Sequence, residues 1–127
     1  MARNVAILVA AMIMSGSAFA QEAGIQRRQV IQQEGPPGYQ TVVNVLEFAP
    51  GSQEIRHTHP GPLAGYILEG AFTLEREGQA TATFKAGDAF YVEAGQAHRG
   101  TNEASTPLKL LATLFVEKGK PLINPSP

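Results

Sequence analysis

From Thr41 onward the chain is a succession of short apolar runs in which hydrophobic and polar positions alternate, each run ending at a glycine- or proline-bearing turn. A period of two with β-branched and aromatic residues predicts strands. Thr41 to Phe48 is such a run and stops at Ala49-Pro50-Gly51. A short strand is expected over Glu54 to His59, closed by Pro60-Gly61-Pro62, and another over Ala64 to Glu69, closed by Gly70. Phe72 and Leu74 then share one face, Glu77-Gly78 predicts a hairpin turn, and Ala80, Ala82 and Phe84 alternate with threonines. Lys85 to Asp88 turns the chain into Ala89 to Val92, Glu93 to Gln96 turns it into Ala97 to Thr101, and Leu108 to Glu117 is a long apolar strand. No segment in this region carries a helical stripe, and turns recur about every ten residues, the texture of an all-β sandwich or barrel.

The flanks differ from this middle. Residues 21–40 are polar and glutamine-rich, with a short strand over Gln26 to Gln32 before Pro36-Pro37-Gly38, and read as an N-terminal arm or edge strand. Residues 118–127 read as a proline-containing C-terminal tail. Residues 1–20 combine Arg3, an apolar run from Val5 to Met14 and the small residues Ala18 and Ala20 around Phe19, the layout of a secretory signal peptide cleaved after Ala20. The apolar run is shorter than the ~20 residues that span a bilayer. The mature chain is therefore expected to be exported, periplasmic or secreted, and without a membrane anchor.

At 127 residues with 43% hydrophobic content the chain can build one core but not two ordinary domains. A net charge of -1 supplies no basic field for nucleic acid, which leaves small molecules or ions as the expected partners. With no cysteine, neither a disulfide nor a thiolate is available, so histidine, carboxylate or hydroxyl groups must carry any chemistry.

The chain has three histidines. On a strand, His57 and His59 present their imidazoles to one side, and both can lean toward one ion at metal–nitrogen distances of about 2.0–2.1 Å. A third ligand is needed, and His98 is the remaining histidine, placed after a glycine-containing turn at the head of another expected strand. An H-x-H pair by itself fits a solvated strand face equally well. The glycine framing adds to it: Gly51 and Gly70 bracket the pair, while Gly87, Gly95 and Asn102 bracket His98.

This pattern resembles the cupin family. Its first motif, G-x5-H-x-H-x3,4-E-x6-G, is matched by Gly51, His57, His59 and Gly70, with the acid absent; its second, G-x5-P-x-G-x2-H-x3-N, is matched by Gly87, Gly95, His98 and Asn102, with Glu93 in place of proline. The resemblance covers residues 41–117 and implies a single-domain, all-β, antiparallel barrel of two jelly-roll-like sheets. It further implies one divalent metal ion (iron, manganese, nickel, copper or zinc) held by His57, His59 and His98, with Asn102 and the glycines structural, Glu93 on the surface, and a homodimer that the polar arm could extend.

The missing acid would fall at Leu63 or Ala64, and the spacing to Gly70 favours Leu63. Glu47, Glu54 and Glu69 are the acids that could compensate, but Glu54 has opposite parity to the histidines and Glu69 abuts Gly70. Without a carboxylate the site would carry a formal +2, favour anionic ligands and keep more positions open. That arrangement resembles the three-histidine mononuclear dioxygenases of the superfamily, acting on a small oxygen-chelating substrate. A non-catalytic module binding metal or a small ligand is the alternative, and a metal-free, isomerase-like protein is a third. Core packing is expected of Phe48, Tyr66, Phe72, Phe84, Phe90 and Tyr91, with the two tyrosine hydroxyls also available to a pocket.

Overall fold

The computed structural model describes residues 22–127, so the leader and its cleavage point after Ala20 lie outside the described residues. The strands are β1 (Ile25–Glu34), β2 (Tyr39–Phe48), β3 (His57–Thr58), β4 (Leu63–Glu69), β5 (Ala71–Arg76), β6 (Ala82–Lys85), β7 (Ala89–Val92), β8 (His98–Thr101), β9 (Leu108–Glu117) and β10 (Asn124–Pro125). Among the described residues these form two five-stranded sheets, ordered β1-β2-β9-β4-β7 and β10-β3-β8-β5-β6, with antiparallel pairing throughout. β1–β2 and β5–β6 are hairpins within one sheet; every other step from β2 to β10 crosses between the sheets. This jelly-roll path makes β3 and β8 neighbours although some forty residues separate them in sequence, and it pairs His57 directly with His98.

Alternation along the strands decides what lies between the sheets. On β9, Leu108, Leu110, Ala112, Leu114 and Val116 are buried, and they meet Val42, Leu46 and Phe48 of β2, Leu63 and Ile67 of β4, Phe72 and Leu74 of β5, and Phe90 and Val92 of β7. Two glycines make room for aromatic rings in this core. A Cβ on Gly65 would lie 2.1 Å from the Phe90 ring, and one on Gly100 would lie 2.1 Å from the Phe72 ring, so only hydrogen at these positions lets the rings lie against the strands. Tyr66 and Tyr91, expected inside on aromatic character, instead stand on the outer face, 46% and 48% exposed, because Gly65 and Ile67, and Phe90 and Val92, take the inward positions. Phe48, Phe72 and Phe90 are core residues as expected, and Phe84 packs partly buried against them.

The arm and tail are more ordered than their composition suggests. β1 runs the full ten residues alongside β2 as an edge strand, with a register shift between Gln29 and Ile31. The tail folds back so that Asn124 and Pro125 pair with Thr58 and His57. No helix among the described residues is long and apolar enough to cross a membrane.

Candidate metal centre

β3 and β8 bring His57, His59 and His98 together at one end of the space between the sheets, with ring centroids 4.3 to 4.9 Å apart. All three side chains are buried, and one nitrogen from each lies within 4.8 Å of the others. The positions singled out on spacing therefore form one cluster, and it is the only such group of three or more potential ligands among the described residues.

Backbone carbonyls set the chemistry of each ring. His57 Nδ1 faces the Ile55 carbonyl at 2.5 Å, His59 Nδ1 the Leu122 carbonyl at 2.7 Å, and His98 Nδ1 the Gln96 carbonyl at 2.9 Å. A carbonyl only accepts, so each Nδ1 must carry the hydrogen, and each neutral ring keeps its lone pair on Nε2. A carbonyl partner on the far nitrogen is the usual way a metal-binding imidazole is oriented. His59 Nε2 is buried with no hydrogen-bond partner, which costs free energy in a finished core but suits an atom that awaits a cation. Burial drives all three imidazoles below their ordinary range, His59 to about 3, so the cluster is neutral and ready to ligate at physiological pH. The donor set fits a divalent ion on these grounds.

The cluster opens on a cavity of about 60 Å³ whose walls are mostly apolar, among them Leu63, Phe72, Phe90 and Leu114. Leu63 occupies the place expected for the acid, is 7% exposed and faces the same cavity as His59 and His98, offering no oxygen to the site. Three polar groups share the cavity with the histidines: Asn44 of β2, Arg27 of β1 and Glu54.

Strand parity turns Glu54 away from the histidines; the structure places it beside them. Regular pairing covers only His57–Thr58 of the expected Glu54 to His59 strand; residues 54–56 follow an irregular path on which alternation does not hold. Glu54 is consequently buried beside the histidines, its Oε2 3.9 Å from His57 Nε2. Its Oε2 accepts from Arg27 Nη2 at 2.7 Å and its Oε1 from the Gly100 N–H at 3.1 Å. Burial pushes its carboxyl up, and Arg27 opposes that shift. Arg27 in turn pairs with Glu22 at 3.1 Å, and Glu22 accepts from the Ile55 N–H at 2.9 Å. Glu47 and Glu69 lie elsewhere, flanking Lys109 and lining a separate groove.

The two flanks also contribute to the site, Arg27 from β1 and Leu122 and Ile123 from the tail. Neither flank carries a local signal of such a role. The remaining motif positions stand as read. Asn102 is fully buried and structural: its Nδ2 donates to the Phe48 and Thr106 carbonyls, and its Oδ1 accepts from the Ala104 N–H. Glu93 is exposed in its turn.

The cupin domain family matches residues 44–116. Among solved structures, a conserved protein with a double-stranded β-helix domain from Klebsiella pneumoniae is 19% identical, with a TM-score of 0.68 over 83% of this chain and 86% of that one. KdgF from a Halomonas species is 30% identical, with a TM-score of 0.59 over 77% of this chain and 83% of that one. A cupin-2 domain protein from Rhodospirillum rubrum is 16% identical, with a TM-score of 0.69 over 85% and 69% of the two chains. No curated protein matches the chain in sequence.

Proposed function

The chain belongs to the cupin superfamily, and on that basis we propose that it binds one divalent metal ion through the Nε2 atoms of His57, His59 and His98 and acts as an oxygenase on a small oxygen-chelating substrate. The observation that carries the metal reading is the common tautomer of the three rings: each Nδ1 is committed to a carbonyl, and the buried His59 Nε2 is left without a partner. A bound divalent ion of this kind polarises oxygen ligands, lowers their pKa and, as iron, activates dioxygen.

The chain's own residues do the rest. The three histidines leave more than one position open, because Leu63 contributes no oxygen. Water-sized space of about 60 Å³ holds the equivalent of roughly four to six non-hydrogen atoms. The reacting end of the substrate is therefore small, on the scale of an enolisable dicarbonyl, a hydroxy-ketone or one edge of a catechol. Leu63, Phe72, Phe90 and Leu114 exclude bulk water around it, and the Asn44 amide offers a hydrogen bond from the opposite sheet. Export, with cleavage after Ala20, belongs to the proposal and rests on the leader's composition.

The test is metal analysis of the purified exported protein followed by oxygen uptake on a panel of such chelators. One ion per chain, lost in His59→Ala, with uptake that needs both metal and substrate, is the expected result. Leu63 also favours a second reading, a non-catalytic cupin that binds metal or a small ligand. Stoichiometric metal and ligand-induced heat stabilisation, without turnover on iron, manganese, nickel or copper, would establish that reading instead.

A further inference from the structure

The acid missing at position 63 leaves an electrostatic question at the site. A divalent ion with three neutral imidazoles carries a formal +2, inside walls made largely of leucine and phenylalanine. Such an environment penalises uncompensated charge heavily. Counter-charge is present nearby. Glu54 is buried, lines the same cavity, and holds Oε2 at 3.9 Å from the metal-facing nitrogen of His57. Both its oxygens accept from donors, Arg27 Nη2 and the Gly100 N–H, an arrangement that suits a carboxylate and leaves no acceptor for a carboxyl proton.

We propose that Glu54 is the acid of the histidine site, acting from outside the coordination shell: it supplies the negative charge that a ligand at position 63 would have brought, while leaving the coordination position empty. The proposal rests on the metal-binding reading above. Two contacts keep Glu54 from becoming a ligand. Arg27 holds one oxygen, and Arg27 is itself anchored by Glu22. The Gly100 N–H holds the other, and Gly100 is bare enough for the approach, since a Cβ there would lie 2.7 Å from Glu54 Oε1. Arg27 and Glu22 cancel in charge, so Glu54 brings the loaded site to a formal +1, the value of a site with a ligating carboxylate. Charge is thus balanced without filling a position that substrate needs, and a singly charged chelator gives a neutral complex in the apolar cavity. Glu54 is a positioning and charge-balancing residue in this scheme.

Titration calorimetry with manganese(II) and nickel(II) on the parent chain, Glu54→Gln and Arg27→Gln tests it. Glu54→Gln keeps the shape and the acceptor for Gly100 but removes the charge, and should weaken both metals about 10–100-fold, the range of outer-sphere substitutions. Arg27→Gln removes a neighbouring positive charge and should tighten both severalfold. Opposite signs are the mark of a charge effect; a structural brace between Glu54 and Arg27 would fail in the same direction whichever partner is replaced. Parent-like affinity in a folded Glu54→Gln, or weakening by both substitutions, overturns the role assigned to Glu54 and leaves the metal site intact. If Glu54→Gln does not fold, Arg27→Gln decides alone, tightening supporting the proposal and any other result overturning it. A parent chain that takes up neither metal overturns the metal reading and this proposal together.

Discussion

Replacing Leu63 by glutamate would put the acid back where the first histidine motif lacks it, and the structure sets the size of the effect. Leu63 is 7% exposed and shares the cavity with His59 and His98. In the metal-free chain the substitution gives up the burial of a leucine side chain, about 1.5–3 kcal/mol. It also places a carboxylate among apolar walls, at an effective cost of several kcal/mol where no cation answers it. Together these come to about 5 kcal/mol or more, which lowers the Tm of a domain this size by roughly 20 °C or more. The metal reverses the balance. A unit charge about 4 Å from another at an effective dielectric near 20 is worth about 4 kcal/mol, close to three decades in affinity, and reorganisation of the longer side chain should reduce that to one or two. The gain should be larger for iron and manganese than for copper, which depends less on oxygen ligands. The assay pairs thermal melts with and without metal to calorimetric titration. A variant that melts early without metal and close to the parent with it, while binding manganese at least tenfold tighter, is the expected pattern. Unchanged or weaker affinity in a folded Leu63→Glu chain would show that side chain 63 does not reach the ion.

Two further outcomes follow from buried polar groups. Burial holds all three imidazoles below their ordinary range, His59 at about 3, so as pH falls the unfolded chain takes up protons near 6.5 that the folded chain refuses. Stability of the metal-free protein should be flat above about pH 7 and decline below about 6.5, by at most ~1.4 kcal/mol per pH unit for each histidine; urea unfolding at pH 7.5 and 5 measures it, and equal stability at the two would refute the assignment. Asn102→Leu should cost about 2–4 kcal/mol in the same assay, because it strands the buried Phe48 carbonyl and removes the partners of the Thr106 carbonyl and the Ala104 N–H at the part-buried end of the loop; a loss below 1 kcal/mol would mean that Asn102 does not brace the fold.

The histidine site was legible in the sequence because its signal is local. Alternation put His57 and His59 on one face, and glycine turns at fixed offsets marked where β3 and β8 would begin. Glu54 escaped because parity holds only within a regular strand, and the chain is irregular until His57. Arg27 and Leu122 escaped for a different reason. They reach the cavity through the β1–β2 hairpin and through the long-range pairing of β10 with β3, and nothing in a glutamine-rich arm or a proline-containing tail announces that either flank ends at the site. Tyr66 and Tyr91 show pattern overriding residue type: Gly65, Ile67, Phe90 and Val92 claim the inward positions on their strands, so the tyrosines face out.

The residues that match the cupin domain family, 44–116, contain all three histidines, Glu54 and Leu63, yet the cavity they line is finished by Arg27 from before that stretch and by Leu122 and Ile123 from after it. The Leu122 carbonyl even fixes which nitrogen of His59 faces inward. Two proteins could therefore agree at every position of the domain and still differ in electrostatic setting, ring orientation and the shape offered to a ligand. In a fold whose central strands are committed to packing, the peripheral strands are where a new specificity can be acquired without rebuilding the core. Transplanting the segments around β1 and β10 between such proteins, with the histidines left alone, would be the direct way to redirect what the site accepts.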